Sequence, residues 1–465
     1  MKWQHLLIAL LLVSLNFGSK FQFLHSSSFN LDEAYSVYYS QQDLSELSQI
    51  FEKEANPPTH FLLLHGWIKW FGISEISVRS LSLLFSSLVV GLAFLLFRSK
   101  TTLVNALLLA VGIAFCEPLF FYGNEARVHA ISGFAGVLSF FFLLRAIELA
   151  TLKRLVIHSI SLVLLMYLHY ANFVLILVEI PIVCLIIFRK NTFKYSWVYL
   201  IGLLSIVPIM FWITSDKVSS TSSWIHSPSP DELWPMWIQF SNGANWFGFT
   251  LIVALAASFI LVKKWINKLV MLLPILYITA AFFVSMYVPF FIERYIFVGA
   301  LLILFCIGYA ISKLEMKNLQ LLSSASFVLL LILTFNIKTS TGEDWKGAVN
   351  YVKTYYPEAH TLVAPVFMYR PYLYYADQDE FKLAGDAIKR SYNKQMYFID
   401  NVGHELFNYI KPDTLIYISK KADDVENIFI LKEHFKVIED RWFIGLHLLV
   451  LEKKAFSSSG IDSQI

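Results

Sequence analysis

Charged residues are scarce in this chain: they make up 15% of its 465 residues, against 57% hydrophobic. A soluble domain of ordinary composition carries about 25% charged residues, so a conventional globular interior is excluded as the destination of so much apolar side chain. The formal net charge of +3 is too small to argue for nucleic acid. Cysteine is nearly absent. Cys116, Cys184 and Cys306 all lie in apolar runs, with no metal-ligand spacing and no evident disulfide pair. No Gly-rich phosphate loop follows a strand pattern, so no nucleotide site is expected. No repeat of fixed period runs along the chain.

What is present is apolar sequence in blocks. Runs lie near 3–18, 80–97, 101–121, 128–144, 155–168, 171–188, 195–214, 246–262, 269–287, 295–311 and 319–337. Most approach the ~20 residues that a helix needs to cross a bilayer. An unclosed strand could not satisfy its backbone in lipid, so the pattern predicts a multi-span α-helical membrane protein with about eleven transmembrane helices.

The basic residues then set the topology. Lys2, Arg98 with Lys100, Arg145 with Lys153 and Arg154, Arg189 with Lys190 and Lys194, Lys263 with Lys264 and Lys268, and Lys313 with Lys317 all fall on one side if the spans alternate. The positive-inside rule makes that side the cytoplasm. This predicts a multi-pass protein of the cell (inner) membrane with a cytoplasmic N-terminus and an extracytoplasmic tail. The first span reads as an uncleaved anchor, because no small-x-small cleavage site precedes Lys20. Carboxylates are nearly missing from the cytoplasmic joints, where Glu148 and Glu315 are the exceptions.

The opposite side receives a first loop of about 19–75, short joints at 122–127, 169–170 and 288–294, a Trp-, Ser- and Pro-rich loop at 215–245, and a hydrophilic tail. The expected organisation is a membrane domain over 1–338 and a small α/β domain over 339–465. In the tail, 344–356 reads as an amphipathic helix opened by Asp344, and Thr361–Pro365, Thr414–Ser419 and Trp442–Leu451 read as strands.

Several polar groups gather on the outer side. Asp32 and Glu33 are adjacent carboxylates in the segment Asn30 to Tyr35. They suit a general base, or equally the acidic first turn of a helix. Pro57-Pro58 introduces a short helix, Phe61 to Phe71, too short to span. His60 and His65 belong to this region as ligands or as interfacial hydrogen-bonding groups, and Trp67 and Trp70 suit the headgroup level. Glu125 with Arg127 and Glu293 with Arg294 occupy two hairpin joints, and His169-Tyr170 a third that reads as part of an aromatic belt. Together, carboxylates and arginines at one interface suit a donor that carries phosphate and is itself lipid-anchored. Arginines hold phosphate, and a carboxylate activates an acceptor.

These segments resemble the GT-C membrane glycosyltransferases, nearest to glycosyltransferase family 39 with the protein O-mannosyltransferases and aminoarabinose transferases. Asp32-Glu33-Ala34 resembles the family's first-loop acidic pair. Asn56-Pro57-Pro58 and the helix after it are similar to the His-Pro-Pro segment, with Asn56 where the family has His. Tyr122-Gly123-Asn124-Glu125-Ala126-Arg127 is similar to Tyr-Ser-Gln-Glu-Ala-Arg. Glu293-Arg294-Tyr295 resembles Pro-Arg-Tyr, with Glu293 replacing Pro. Asp344-Trp345-Lys346-Gly347-Ala348 resembles Asp-Trp-Arg-Gly-Ala. The motifs occur in the family's order over about three quarters of the chain.

The resemblance implies transfer of a sugar from a polyprenyl-phosphate carrier to a lipid, polysaccharide or protein acceptor, with inversion at the anomeric carbon. Asp32 and Glu33 are the expected catalytic pair, and Glu125, Arg127, Arg294, His65 and Tyr35 the expected substrate-binding residues. No protein-held metal is expected. No cofactor is required, although the chemistry permits a divalent cation. The expected partners are the polyprenyl-phosphate sugar donor, the acceptor and membrane lipids, without nucleic acid. Two other classes compete. A transporter or lipid flippase would place polar residues near the bilayer midplane, whereas here the span interiors read as nearly free of charge. A membrane scaffold whose tail binds a partner leaves the outer carboxylates and arginines without a role.

Overall fold

The computed structural model describes residues 3–51, 54, 56–212, 225–338, 342–420 and 424–454. The first part of the expected 215–245 loop lies outside the described residues, as does the last stretch of the tail. The chain divides into two compact units: Met1–Ser26 with Leu47–Thr339, and Ser27–Glu46 with Ser340–Ile465.

The first unit is a helical bundle. Among the described residues, seven helices are long and apolar enough to cross a membrane, and nine spans result if each of two sharply bent helix pairs counts as one. The eleven apolar stretches of the sequence fall on these elements and on two shorter helices, Leu152–Leu168 and Val298–Ile311. Glu75–Arg98 packs against Trp3–Phe21, Leu103–Ala114 and His129–Glu148. Val298–Ile311 is apolar all round and almost wholly buried, as a helix at the centre of a bundle must be. Its close approach to His129–Glu148 needs a small residue. A Cβ on Gly136 would sit 2.6 Å from Val298 Cγ1, so the two backbones meet only over glycine.

The bend between Leu103–Ala114 and Glu117–Gly123 is 60°. It frees backbone groups that lipid cannot satisfy, and side chains take them over. Lys20 Nζ donates to the Ala114 carbonyl (2.7 Å), Asn242 Nδ2 to the Phe115 carbonyl (2.9 Å), and the Glu117 N–H to Asn242 Oδ1 (2.7 Å). Asn242 Nδ2 also reaches Thr334 Oγ1 at 3.1 Å.

The basic joints converge at one end of the bundle, as the alternating pattern predicts. Lys100, Arg145 and Arg154 all pair with Glu148. Lys190 Nζ donates to the Glu148 carbonyl at 2.7 Å, and Lys263 pairs with Glu315 at 2.7 Å. Both exceptional carboxylates of that side therefore serve as counter-ions to its basic clusters.

The bundle interior departs from the sequence expectation. Glu179 and His158 are fully buried and hydrogen-bonded to each other, with Glu179 Oε2 to His158 Nε2 at 2.8 Å. Ser139 Oγ donates to the same carboxylate oxygen (2.6 Å), and His158 Nδ1 lies 2.9 Å from the Tyr199 hydroxyl. Four helices are pinned by this one cluster, in which the hydrogen bonds to Glu179 Oε2 offset part of the desolvation cost while the buried Oε1 has no partner.

The second unit carries a five-stranded sheet: β1 (His360–Ala364), β2 (Met396–Phe398), β3 (Thr414–Ser419), β4 (Phe435–Phe443) and β5 (Leu446–Lys453). The order is β2-β1-β3-β5-β4. β1 runs parallel to β2 and β3, while β5 is antiparallel to β3 and β4. The expected strand Trp442–Leu451 is instead the tip of the β4–β5 hairpin. Gly445, at φ +69°, closes a two-residue turn that requires positive φ, so the apolar run continues through a reversal of the chain. The expected tail helix is Trp345–Tyr355, with Asp344 accepting from the Gly347 N–H at 2.9 Å.

The first-loop helix Leu31–Ser40 belongs to this unit and packs on Tyr369–Ala376. Ser28 Oγ donates to Asp344 (3.3 Å), the Phe29 N–H to the Tyr375 hydroxyl (2.7 Å), and Gln41 Nε2 to the Phe381 carbonyl (2.8 Å). Residues 27–46 of the first loop and the tail therefore fold as one body.

The buried cluster gives a stability prediction. His158→Leu leaves the Glu179 carboxylate buried without its principal partner and should cost about 3–5 kcal/mol, whereas the double variant His158→Leu/Glu179→Leu should recover most of the loss. Thermal unfolding of the detergent-solubilised protein and its membrane abundance measure both.

Candidate functional site

The outer joints of the helical bundle form one cluster. The short helix Glu117–Gly123 ends in the joint that carries Glu125 and Arg127, where the Arg127 N–H donates to the Glu125 carbonyl (2.8 Å) and Ser82 Oγ to the Arg127 carbonyl (3.2 Å). Glu125 is buried, while Arg127 and Arg294 are half-buried. Tyr295, which follows Arg294, packs 4.6 Å from the His169 ring, 5.8 Å from Tyr170 and 6.1 Å from His129. Tyr122 packs 5.3 Å from His129 and 4.7 Å from Phe297. His169-Tyr170, read from sequence as belt aromatics, is thus buried inside the cluster.

The electrostatics of the cluster follow from its burial. Desolvation first, and then the positive charges of Arg127 and Arg294, push the His169 imidazole down to about 3. Desolvation, Arg127 and His169 push His60 down to about 3. At neutral pH both rings are neutral, and the positive charge of the cluster resides on its two arginines. Burial raises the Glu293 carboxyl, with Lys338 and a hydrogen bond from Tyr122 opposing the shift. Lys338 in turn pairs with Glu117 at 2.5 Å. Two half-exposed guanidinium groups among buried neutral histidines and tyrosines are suited to an oxyanion of a lipid-borne group: the fork geometry binds phosphate, and the dry surroundings strengthen it.

Of the expected residues, Glu125, Arg127 and Arg294 are brought to this cluster, with His60 beside Arg127. His65 is buried on the helix Thr59–Phe71, whose Trp67 Nε1 donates to the Ser77 carbonyl at 2.9 Å. The same helix leaves Trp70 85% exposed. Asn56 Nδ2 donates to Glu54 at 3.0 Å.

Asp32, Glu33 and Tyr35 lie on the helix Leu31–Ser40 of the other unit. That helix starts in a capping box. Asn30 Oδ1 accepts from the Glu33 N–H (2.8 Å), and Glu33 Oε2 accepts from the Asn30 N–H (3.1 Å). Glu33 is completely buried in this role, and Asp32 beside it is half-buried. Capping is done by Asn30 and Glu33, so the helix start does not depend on Asp32. One turn on, Tyr35 packs 4.6 Å from Tyr39 and lies 5.0 Å beneath the Arg370 guanidinium. Arg370 also faces Tyr38, Tyr39 and Tyr369, and its Nη2 donates to the Tyr39 hydroxyl at 2.8 Å. Sequence reading missed Arg370. The three tyrosines on the Asp32 helix were the available signal, but nothing local says which cation they surround.

No protein-family model matches the chain, and no curated protein matches it in sequence. Its fold has counterparts. The crystal structure of ArnT from Cupriavidus metallidurans in the apo state matches with a TM-score of 0.60 at 10% identity, over 95% of this chain and 97% of that one. The same protein bound to undecaprenyl phosphate matches at 0.59 and 12% identity, with the same coverage. The archaeal oligosaccharyltransferase AglB from Archaeoglobus fulgidus, in complex with an inhibitory peptide and a dolichol-phosphate, matches at 0.50 and 10% identity, over 90% of this chain and 69% of that one. The chain therefore has the GT-C glycosyltransferase fold.

The buried histidines predict an acid-sensitive bundle. Unfolded histidine titrates near 6.5, while His60 and His169 are held to about 3 in the fold. Their folded pKa is depressed, so the unfolded chain binds the extra protons. The stability they contribute is present above about 6.5 and is lost as pH falls towards 3. At pH 5 the loss should reach about 2 kcal/mol per histidine. The double variant His60→Gln/His169→Gln should show a flatter dependence of melting temperature on pH between 7.5 and 5 than the wild type, by roughly this amount per ring.

Proposed function

We propose that this chain transfers a sugar from a polyprenyl-phosphate-linked donor to an acceptor at the outer face of the cytoplasmic membrane. The observation that carries the reading is the fold, shared end to end with ArnT, a protein solved with undecaprenyl phosphate bound. The half-exposed Arg127 and Arg294 pair supports it. In this reading 1–338 is the membrane domain, 339–465 is extracytoplasmic, and the N-terminus is cytoplasmic.

The chemistry is an inverting displacement. Asp32 takes the proton of an acceptor hydroxyl or amine as that atom attacks the anomeric carbon. The bond from that carbon to the phosphate oxygen breaks, and its electron pair leaves with polyprenyl monophosphate. Arg127 and Arg294 offset the charge that grows on the phosphate. Glu33 acts through the helix start it caps and so fixes Asp32, while Glu125 orients the acceptor. His65 and Tyr35 line the substrate. A monophosphate leaving group needs less neutralisation than a diphosphate, so the reaction proceeds without an obligatory divalent cation, and the acceptor is a lipid, a polysaccharide or a protein.

The rival reading, a transporter or lipid flippase, draws on the buried Glu179–His158 pair, since ionisable groups within a bilayer mark transport paths. Here Ser139 and Tyr199 close that pair off, which favours a clamp between helices over a path.

Asp32→Asn tests the mechanism. The substitution keeps size and hydrogen bonding but removes the basic carboxylate, so turnover should fall by ~10²–10⁴. Membrane abundance should hold, because an acidic group in a first helical turn contributes only about 0.3–1 kcal/mol. Normal abundance together with a wild-type rate would remove Asp32 as the base.

A further inference from the structure

The second unit holds a side-chain group that sugar transfer does not use. His404 lies just before the short helix Leu406–Tyr409, and Glu433 and His434 are the last two residues of the helix Val425–His434. His404 Nδ1 stands 3.1 Å from His434 Nε2 and 3.6 Å from a Glu433 carboxylate oxygen. All three ligand atoms fall within 4.8 Å of one another. We propose that His404, Glu433 and His434 bind a zinc ion, which ties the segment before Ile410 to the end of the helix Val425–His434.

The separations match the metal. With zinc–nitrogen and zinc–oxygen bonds of about 2.0–2.2 Å, the edge of a tetrahedral site is about 3.3–3.6 Å. The 3.1 Å and 3.6 Å separations at His404 lie within or close to that range, so small side-chain shifts suffice. The donor set is selective: two imidazoles with one carboxylate suit zinc and its transition-metal neighbours. Magnesium and calcium instead require a shell of oxygen atoms. This site is thus separate from any divalent cation that donor chemistry admits.

The ligands are also held in place. The His434 ring packs 4.4 Å from Phe407, which packs 5.4 Å from Phe435. The Lys454 N–H donates to the His434 carbonyl (3.3 Å), and Lys454 Nζ donates to the Lys432 (2.7 Å) and Glu433 (3.2 Å) carbonyls. Two imidazole nitrogens facing each other across 3.1 Å share a single proton when both rings are neutral, and a metal takes the place of that proton with both rings as ligands. The site lies at a helix C-terminus, where the aligned peptide dipoles favour a cation. Lys411, Lys453 and Lys454 line the same cavity of about 560 Å³ and oppose it. Coordination by the three ligands, with the dipole, therefore has to hold the ion, which selects a tightly coordinating metal over magnesium or calcium.

The test uses the full chain in detergent, stripped with a chelator, dialysed against zinc chloride and assayed for bound metal and melting temperature. Wild type should hold one more zinc per chain than His404→Ala or His434→Ala, and zinc should raise its melting temperature while leaving both variants unmoved. Glu433→Gln should bind more weakly than wild type. His404 is exposed and His434 half-buried, so His404→Ala is the primary variant, and an unchanged melting temperature without zinc verifies that each variant folds. Equal zinc content and equal shifts in wild type and variants would overturn the site, and so would an equal response to magnesium or calcium. Sugar transfer is not the readout, so failure here leaves the proposed reaction standing.

Discussion

Asn242 is the residue on which the geometry of the outer cluster depends. Its side chain bonds to the backbone on both flanks of the break after Ala114, and Lys20 takes the remaining carbonyl. In lipid, a broken helix persists only where other groups satisfy the freed backbone. The 60° bend redirects the helix Glu117–Gly123, and at the end of that helix stand Tyr122, Glu125 and Arg127. A straight span would carry the same residues along the helix axis, away from His169 and Tyr295. Arg127 is placed by an amide and an ammonium more than a turn away from it.

A comparable division of labour governs the first loop. Two adjacent carboxylates begin the helix Leu31–Ser40, and they differ in what the fold asks of them. Glu33 is consumed in the capping box with Asn30 and is completely buried. Asp32, one position earlier on the turn, stays half-buried. Adjacent positions on a helix point about 100° apart, so one acid can face inward to close the helix while its neighbour faces elsewhere. The proposed chemistry uses this difference and assigns the proton transfer to the residue that the cap leaves aside.

Much of the architecture was legible because it follows from local composition. Apolar runs of bilayer length gave the helices, and the basic joints, all on one side if the spans alternate, include those that pair with Glu148 and Glu315. The Asp344 cap and the strands near Thr361 and Thr414 were visible as signals a few residues long. What escaped was either non-local or hidden by a run of one character. Hydropathy averages across Cys116-Glu117-Pro118 and does not register a bend. The run Trp442–Leu451 conceals the turn at Gly445. Glu179 and His158 each look like a lone polar residue in an apolar span, and only packing brings them to 2.8 Å. The membership of 27–46 in the tail unit depends on contacts more than 300 residues apart, such as Ser28 with Asp344, and no window along the chain can contain them.

The central claim is that the donor is a sugar on a polyprenyl monophosphate, consumed at the outer face. Mass spectrometry of the lipid-linked sugars in cells lacking the protein tests it most directly. The account predicts that a polyprenyl-monophosphate sugar accumulates, that an envelope glycan, lipid or protein loses the matching sugar, and that the wild-type gene restores both. Unchanged carrier lipids and unchanged glycans in the deletion strain would contradict it.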